Sequence, residues 1–193
     1  MTGELGYSLP PAVRRIADAF RLFGWISFWA QAVLGIISSM VLLFASATLG
    51  ARAAGSGVNP GTGAGLSLAI LGLVTVYVSA YWAFRYTRLG RKLRTANPDQ
   101  RPKPKDAAQA IRMGIIISLV GMLLTLLGTE AIVGALLGKA VSAQTVGFVD
   151  PRLVTQYIQP LDIFVVQAAI NILLAHFAGL SASLWLARTV NRQ

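Results

Sequence analysis

Between Arg21 and Arg52 the chain carries no charged residue, and this uninterrupted apolar stretch constrains the fold more than any other feature. A helix needs about 20 mostly apolar residues to cross the hydrocarbon core of a bilayer. Three further stretches meet that need, so spans are expected at about residues 22–49, 66–84, 113–138 and 161–187. Only 12% of the 193 residues are charged and 55% are hydrophobic, whereas a soluble domain carries about 25% charged residues. The expected class is all-α and polytopic, with four transmembrane helices. Residues 1–21 form an N-terminal segment and 22–193 the transmembrane domain. Ala45-Ser46-Ala47 has the small residues of a signal cleavage site, but the apolar run before it exceeds a signal core of about 7–15 residues. An uncleaved first span is the expectation.

The distribution of charge orients the bundle. Fourteen of the 17 basic residues fall in the N-terminal segment, the loop between spans two and three, and the C-terminal tail. Only Arg52, Lys139 and Arg152 fall on the other side. The positive-inside rule then places both termini and the central loop in the cytoplasm. The net charge of +10 therefore points to a membrane surface rather than to nucleic acid. In the central loop, Arg85, Arg88, Arg91, Lys92, Arg94, Arg101, Lys103 and Lys105 are placed to meet anionic lipid headgroups, each worth about 1 kcal/mol near a charged leaflet. An acidic protein partner is the alternative. Residues 11–21 alternate as a helix, with Val13, Ile16, Ala17 and Phe20 on one face and Arg14, Arg15, Asp18 and Arg21 on the other. That pattern reads as an interfacial amphipathic helix, serving as an anchor or as a docking surface.

Between the spans, Arg101-Pro102-Lys103-Pro104-Lys105 is expected to be extended, with Asp106 capping a third helix that starts near residue 107. Asp150-Pro151 followed by Leu153, Val154, Tyr157 and Ile158 reads as a short helix on the far side. The third span repeats glycine every seven residues at Gly114, Gly121 and Gly128, followed by the pair Gly134 and Gly138. Such stripes let helices approach closely in lipid, which would place the third helix centrally and offer faces for oligomerisation. Glycine is also simply common in spanning helices.

Polar groups at membrane depth are the candidates for chemistry. They are Gln31, Glu130, Asp162, Gln167, Asn171 and His176. The amides are read as a polar pathway or as interhelical hydrogen-bond contacts. Glu130 is a candidate to pair with Lys139 or Arg152. His176, the single histidine, is either a packing residue or the one strong nitrogen ligand for a metal ion. With no cysteine in the chain, thiol catalysis and Cys-bound metal centres are excluded. The chain contains no phosphate-binding Gly-Lys-Ser/Thr loop, nucleophile elbow or His-Glu-x-x-His, so neither an enzyme nor a bound cofactor is expected.

Several strings resemble a known family. They are Phe28-Trp29-Ala30-Gln31, Ala80-Tyr81-Trp82-Ala83-Phe84 through Arg88-Leu89, Arg112-Met113-Gly114, Leu127-Gly128-Thr129-Glu130-Ala131, Leu161 to Ala168 with Asn171, and Leu174 to Leu180. Across most of residues 20–190 they are similar to the four-span permease-in-chloroplasts family of cyanobacteria and the chloroplast inner envelope. The resemblance implies a cyanobacterial member in the plasma or thylakoid membrane, acting in iron transport. It equally implies protein translocation, while an assembly or scaffold role in a larger photosynthetic membrane complex is the further alternative that the sequence leaves open. The plant pattern is similar at Gln31, Gln167, Asn171 and His176, and has glutamine where this chain has Glu130. The implied partners are membrane lipids, a second copy or a larger complex, and an iron ion.

The orientation yields a direct expectation. Tags inserted near Arg101 and at the C-terminus should both be accessible only from the cytoplasmic face, as read by impermeant labelling of sealed vesicles. Either tag appearing on the opposite face would contradict the charge-based topology.

Overall fold

The computed structural model describes residues 10–53, 60–95, 101–145 and 158–191. They form four helices: α1 (Pro11–Ala53), α2 (Pro60–Leu93), α3 (Pro104–Thr145) and α4 (Pro160–Asn191). Each is long and apolar enough to cross a membrane, and the described residues contain no strand. At about 1.5 Å per residue, the 43 residues of α1 are about twice as long as the hydrocarbon core is thick. The helices therefore project beyond the membrane.

All four helices open on a proline at their first position: Pro11, Pro60, Pro104 and Pro160. There the missing N–H is one that the helix could not have used, and the fixed φ is already helical. This corrects the sequence reading of the central loop. Pro104 and Lys105 belong to the first turn of α3, and Asp106 is not the cap itself. Its carboxylate reaches back to accept from the amide of Lys103 at 3.1 Å. Asp162 does the same for the amide of Gln159 at the start of α4, at 2.9 Å. The helix expected over residues 11–21 is present and runs unbroken into the first span. Ala17 and Phe20 are fully buried, while Arg14, Arg15, Asp18 and Arg21 are exposed. The short helix expected around residues 150–158 lies almost wholly outside the described residues.

The helices pack as a ring in chain order, α1 against α2 and α4, and α3 against α2 and α4, with α2 and α4 meeting across the diagonal. The third helix is thus one wall of the ring rather than its centre. The outer surface along the spans is largely apolar, with residues such as Met40 and Leu43 each 69% exposed. The interior holds two apolar clusters. One lies at the end carrying the basic residues, around Phe20, Tyr86, Ile111 and Leu186. The other fills the opposite half, around Leu42, Leu73, Val76, Ile132 and Ile172.

Close approach is made possible by small residues. A methyl at Gly128 would come within 2.9 Å of the Gly65 carbonyl oxygen and the Ala69 amide nitrogen, so α2 and α3 touch backbone to backbone there. A methyl at Gly90 would lie 2.8 Å from the carbonyl oxygen of Ala17, which is the matching contact of α2 with α1. Gly134 and Gly138 differ: both are exposed, with nothing within 4 Å of where a Cβ would stand. The glycine run seen in the sequence therefore divides into three positions used inside the bundle and two that face outward.

This division is testable by substitution. Gly128→Ala should destabilise the bundle by about 1–3 kcal/mol, because backbone atoms cannot step aside as a side chain can. Gly134→Ala should be neutral or slightly stabilising, through the roughly 0.5–1 kcal/mol helix preference for alanine. Thermal unfolding in mild detergent reads both, and equal melting points for the two variants would contradict the packing described.

Candidate functional site: a polar column on the bundle axis

Alongside the two apolar clusters, each helix turns small and polar side chains inward. Helix α1 contributes Ser27, Gln31 and Ser38, and α2 contributes Thr75, Ser79 and Tyr86. Helix α3 contributes Ser118 and Thr125, and α4 contributes His176 and Ser183. Within each helix these residues recur at intervals of three, four or seven, together with glycines 72, 114, 121 and 179. That spacing keeps one stripe pointing at the axis.

The column is built by fitting a polar side chain of one helix over a glycine of another. At the basic end, the Tyr86 hydroxyl lies over Gly114, 3.0 Å from Ser183 Oγ, and donates to the carbonyl of Ala110 at 3.3 Å. Next inward, Gln31 Nε2 donates to Ser27 Oγ at 2.6 Å, and Ser79 and Ser118 face one another at 3.4 Å. All of these except Ser27 border Gly179, where a Cβ would stand 2.8 Å from Gln31 Nε2 and 3.0 Å from both hydroxyls. A crevice of about 150 Å³ runs between these two levels, lined by Ser27, Gln31, Ser79, Tyr86 and Ser183, and has no room for a water molecule.

Deeper still is His176, with no exposed surface. Its ring lies over Gly121, where any Cβ would overlap it. Nε2 is 3.1 Å from the Gly72 carbonyl oxygen and 3.1 Å from Thr75 Oγ1. A carbonyl oxygen can only accept, so Nε2 carries the hydrogen. Nδ1 then bears a lone pair, and it is buried with no hydrogen-bond partner. Gln31 Oε1 is the other such buried side-chain atom among the described residues. Two unpaired acceptors in a lipid-enclosed interior are uncommon, since a buried polar group is ordinarily satisfied. Both acceptors belong to this column.

The acidic candidates stand elsewhere. Asp162 accepts from Lys139 Nζ at 2.9 Å, a half-buried ion pair at the end opposite the basic residues. It is 14 residues, or about 21 Å, from His176 along α4. Lys139 is thus taken by Asp162 rather than by Glu130. Glu130 follows the buried Gly121 by nine residues, which on a helix is half a turn, so its carboxylate faces outward and is exposed. Gln167 and Asn171 bond to one another at 3.3 Å on the outward side of α4 rather than across helices. Glu130, Asp162 and His176 therefore do not converge, and no group of three metal-ligating side chains exists among the described residues. Of the six polar candidates read from sequence, Gln31 and His176 belong to the column. The serines, Thr75 and Tyr86 were missed, although their three-and-four spacing beside glycine was visible.

Comparison with known proteins places the chain. The family model described as "Protein of unknown function (DUF3611)" matches residues 10–191. The chain is also 35% identical over 176 residues to "Protein TIC 21, chloroplastic" of Arabidopsis thaliana, covering 89% of this chain and 56% of that protein. The chain thus spans little more than half the length of this relative. No solved structure matches. With four membrane-length helices and a family match over nearly all of its length, this chain is an integral membrane protein belonging to the DUF3611 family, as the resemblance to the chloroplast inner-envelope proteins implied.

Proposed function

We propose that this protein is a membrane transport component, oriented with both termini in the cytoplasm of a cyanobacterial plasma or thylakoid membrane, and that the polar column is the path taken by its cargo. The observation that carries this reading is the unpaired lone pair of His176 Nδ1, held in a stripe of hydroxyls on the bundle axis. Burying an unsatisfied acceptor is costly. A cargo that offers a positive charge or a proton would satisfy it. Ferrous iron, the cargo that the family resemblance implies, is borderline in softness and is well served by a neutral imidazole. One nitrogen among hydroxyls and carbonyl oxygens suits a passing ion better than a resident one. The bundle as it stands is closed, since the crevice along the column has no room for a water molecule. Passage therefore requires a second arrangement of the helices.

A second reading is favoured by a different observation. Glu130, Gly134 and Gly138 lie exposed on the outward side of α3, where a charged group and two bare glycines would otherwise face lipid. A second copy of the chain, or a subunit of a larger translocation or assembly complex, would cover them. In that case the column would be a packing device only.

The two readings differ in what they require of His176. His176→Gln keeps a donor toward the Gly72 carbonyl but removes the imidazole lone pair. Under the transport reading the variant folds with an unchanged melting point, yet ferrous iron flux into proteoliposomes falls about tenfold or more, the effect of losing about 1.4 kcal/mol of binding. His176→Ala should lose the flux as well. Wild-type flux should fall as pH is lowered, because a proton on Nδ1 competes with the metal. Full flux in both variants would overturn the ligand role and leave the assembly reading.

A further inference from the structure

The structure divides the band of basic residues that the sequence presented as one. Arg94 pairs with Asp18. Arg101 Nε donates to the carbonyl of Thr95 at 3.1 Å. Arg85, Arg88 and Lys92 are arranged differently. They follow one another at intervals of three and four on the outward side of α2 and so form a single cationic stripe.

This stripe continues straight down the helix into apolar residues. Val74, Val78 and Tyr81 precede Arg85 on the same line, and all three are exposed on the surface that faces lipid, Tyr81 by 63%. The side chains of Tyr81, Phe84, Arg85, Arg88, Leu89 and Lys92 line a shallow groove of about 250 Å³. Rings hold two of the three cations in place. The Arg85 guanidinium lies 4.6 Å from the centre of the Trp82 ring, and that of Arg88 lies 5.0 Å from the centre of Phe84. Phe84 is backed in turn by Phe28 of α1, with ring centres 5.8 Å apart. Stacked in this way, the guanidinia keep their N–H groups free for an anion.

No described carboxylate competes for these cations. Asp18 is paired with Arg94, Asp106 accepts from the Lys103 amide, Asp162 accepts from Lys139, and Glu130 belongs to the opposite half of the bundle. Arg85 and Lys92 are about 10 Å apart along the axis, enough for a phosphate to be held between cations. An acidic protein segment would complement the charge alone. The ordered change from cations to aromatic to aliphatic along one line also complements an acyl chain, and it lies where the helix leaves the membrane. We infer that this groove on α2 is a binding site for one anionic phospholipid, its phosphate held by Arg85, Arg88 and Lys92 and its glycerol and upper acyl chain lying against Tyr81, Phe84 and Leu89.

The test uses the full chain, purified in mild detergent and supplied with dioleoylphosphatidylglycerol or dioleoylphosphatidylcholine, with bound lipid counted by native mass spectrometry. The expected result is preferential retention of one phosphatidylglycerol. Changing Arg85, Arg88 and Lys92 together to glutamine should weaken that retention by about fivefold per cation removed. A charge-matched control with Arg14→Gln, Arg15→Gln and Lys105→Gln should retain it. If the triple variant does not fold, Arg88→Gln alone carries the test with its own fivefold loss. Equal retention of the two lipids, or an equal loss in the control, would overturn the site in favour of diffuse charge attraction. Displacement of the lipid by millimolar inorganic phosphate would overturn it in favour of a free anion. Binding of a polyglutamate peptide through the same residues, without lipid preference, would overturn it in favour of a protein partner.

Discussion

Lipid tails are as apolar as leucine side chains, so two helices gain nothing from apolar burial when they leave lipid for one another. What remains is close contact and hydrogen bonding, and both depend on having no side chain where helices meet. In this bundle Gly128 and Gly65 bring α3 against α2, and Gly90 brings α2 against α1. Gly114, Gly121 and Gly179 do something further. Each leaves a space that a polar side chain of another helix occupies: Tyr86, His176 and Gln31 respectively. The glycines thus set the spacing of the helices and also select which groups reach the axis.

That arrangement explains why the polar interior is tolerated. Tyr86 reaches Ser183, and His176 reaches the Gly72 carbonyl, each at about the same short range. An interhelical hydrogen bond inside a membrane contributes only about 0.6 kcal/mol on average, so these contacts alone give little reason to keep an imidazole and a carboxamide inside. The leftover acceptors, His176 Nδ1 and Gln31 Oε1, are the groups that the proposed path for a proton or a cation would engage. With no room for a water molecule in the crevice, this conformation is sealed. The acids, which might have been the obvious cation ligands, are distributed to the surface and to the far end.

Much of the fold was legible because a membrane leaves few choices. Uncharged length alone gave four helices, since backbone N–H and C=O groups in lipid must be satisfied within the segment. The helix starts were less legible. Pro104 was read as part of an extended segment, although a proline at the first helical position is as favourable as one in a turn. The site was legible only in part, for a definable reason. Attention to charge and to amides selected Glu130, Gln167 and Asn171, which face outward. The axis is lined instead by serines and threonines, which look unremarkable singly. Their signal is periodic: Gly72-Thr75-Ser79 in α2 and Gly114-Ser118-Gly121-Thr125-Gly128 in α3 recur at the helical interval. Depth in the sequence says that a residue is in the membrane, but only the packing says whether it meets lipid or a neighbouring helix.

The central claim is that the serine-lined column is a pathway and not only a seam between helices. The chain has no cysteine, so a single thiol can be placed at will and read without background. The most direct measurement compares Ser79→Cys and Ser118→Cys with Leu123→Cys, whose position is 58% exposed on the lipid-facing surface, for reaction with a small hydrophilic thiol reagent in sealed proteoliposomes with ferrous iron present. The account predicts that both column positions react and that position 123 does not, because the column fills with water when the bundle opens. Column thiols as inert as the one at 123, in a protein that still melts cooperatively, would contradict it.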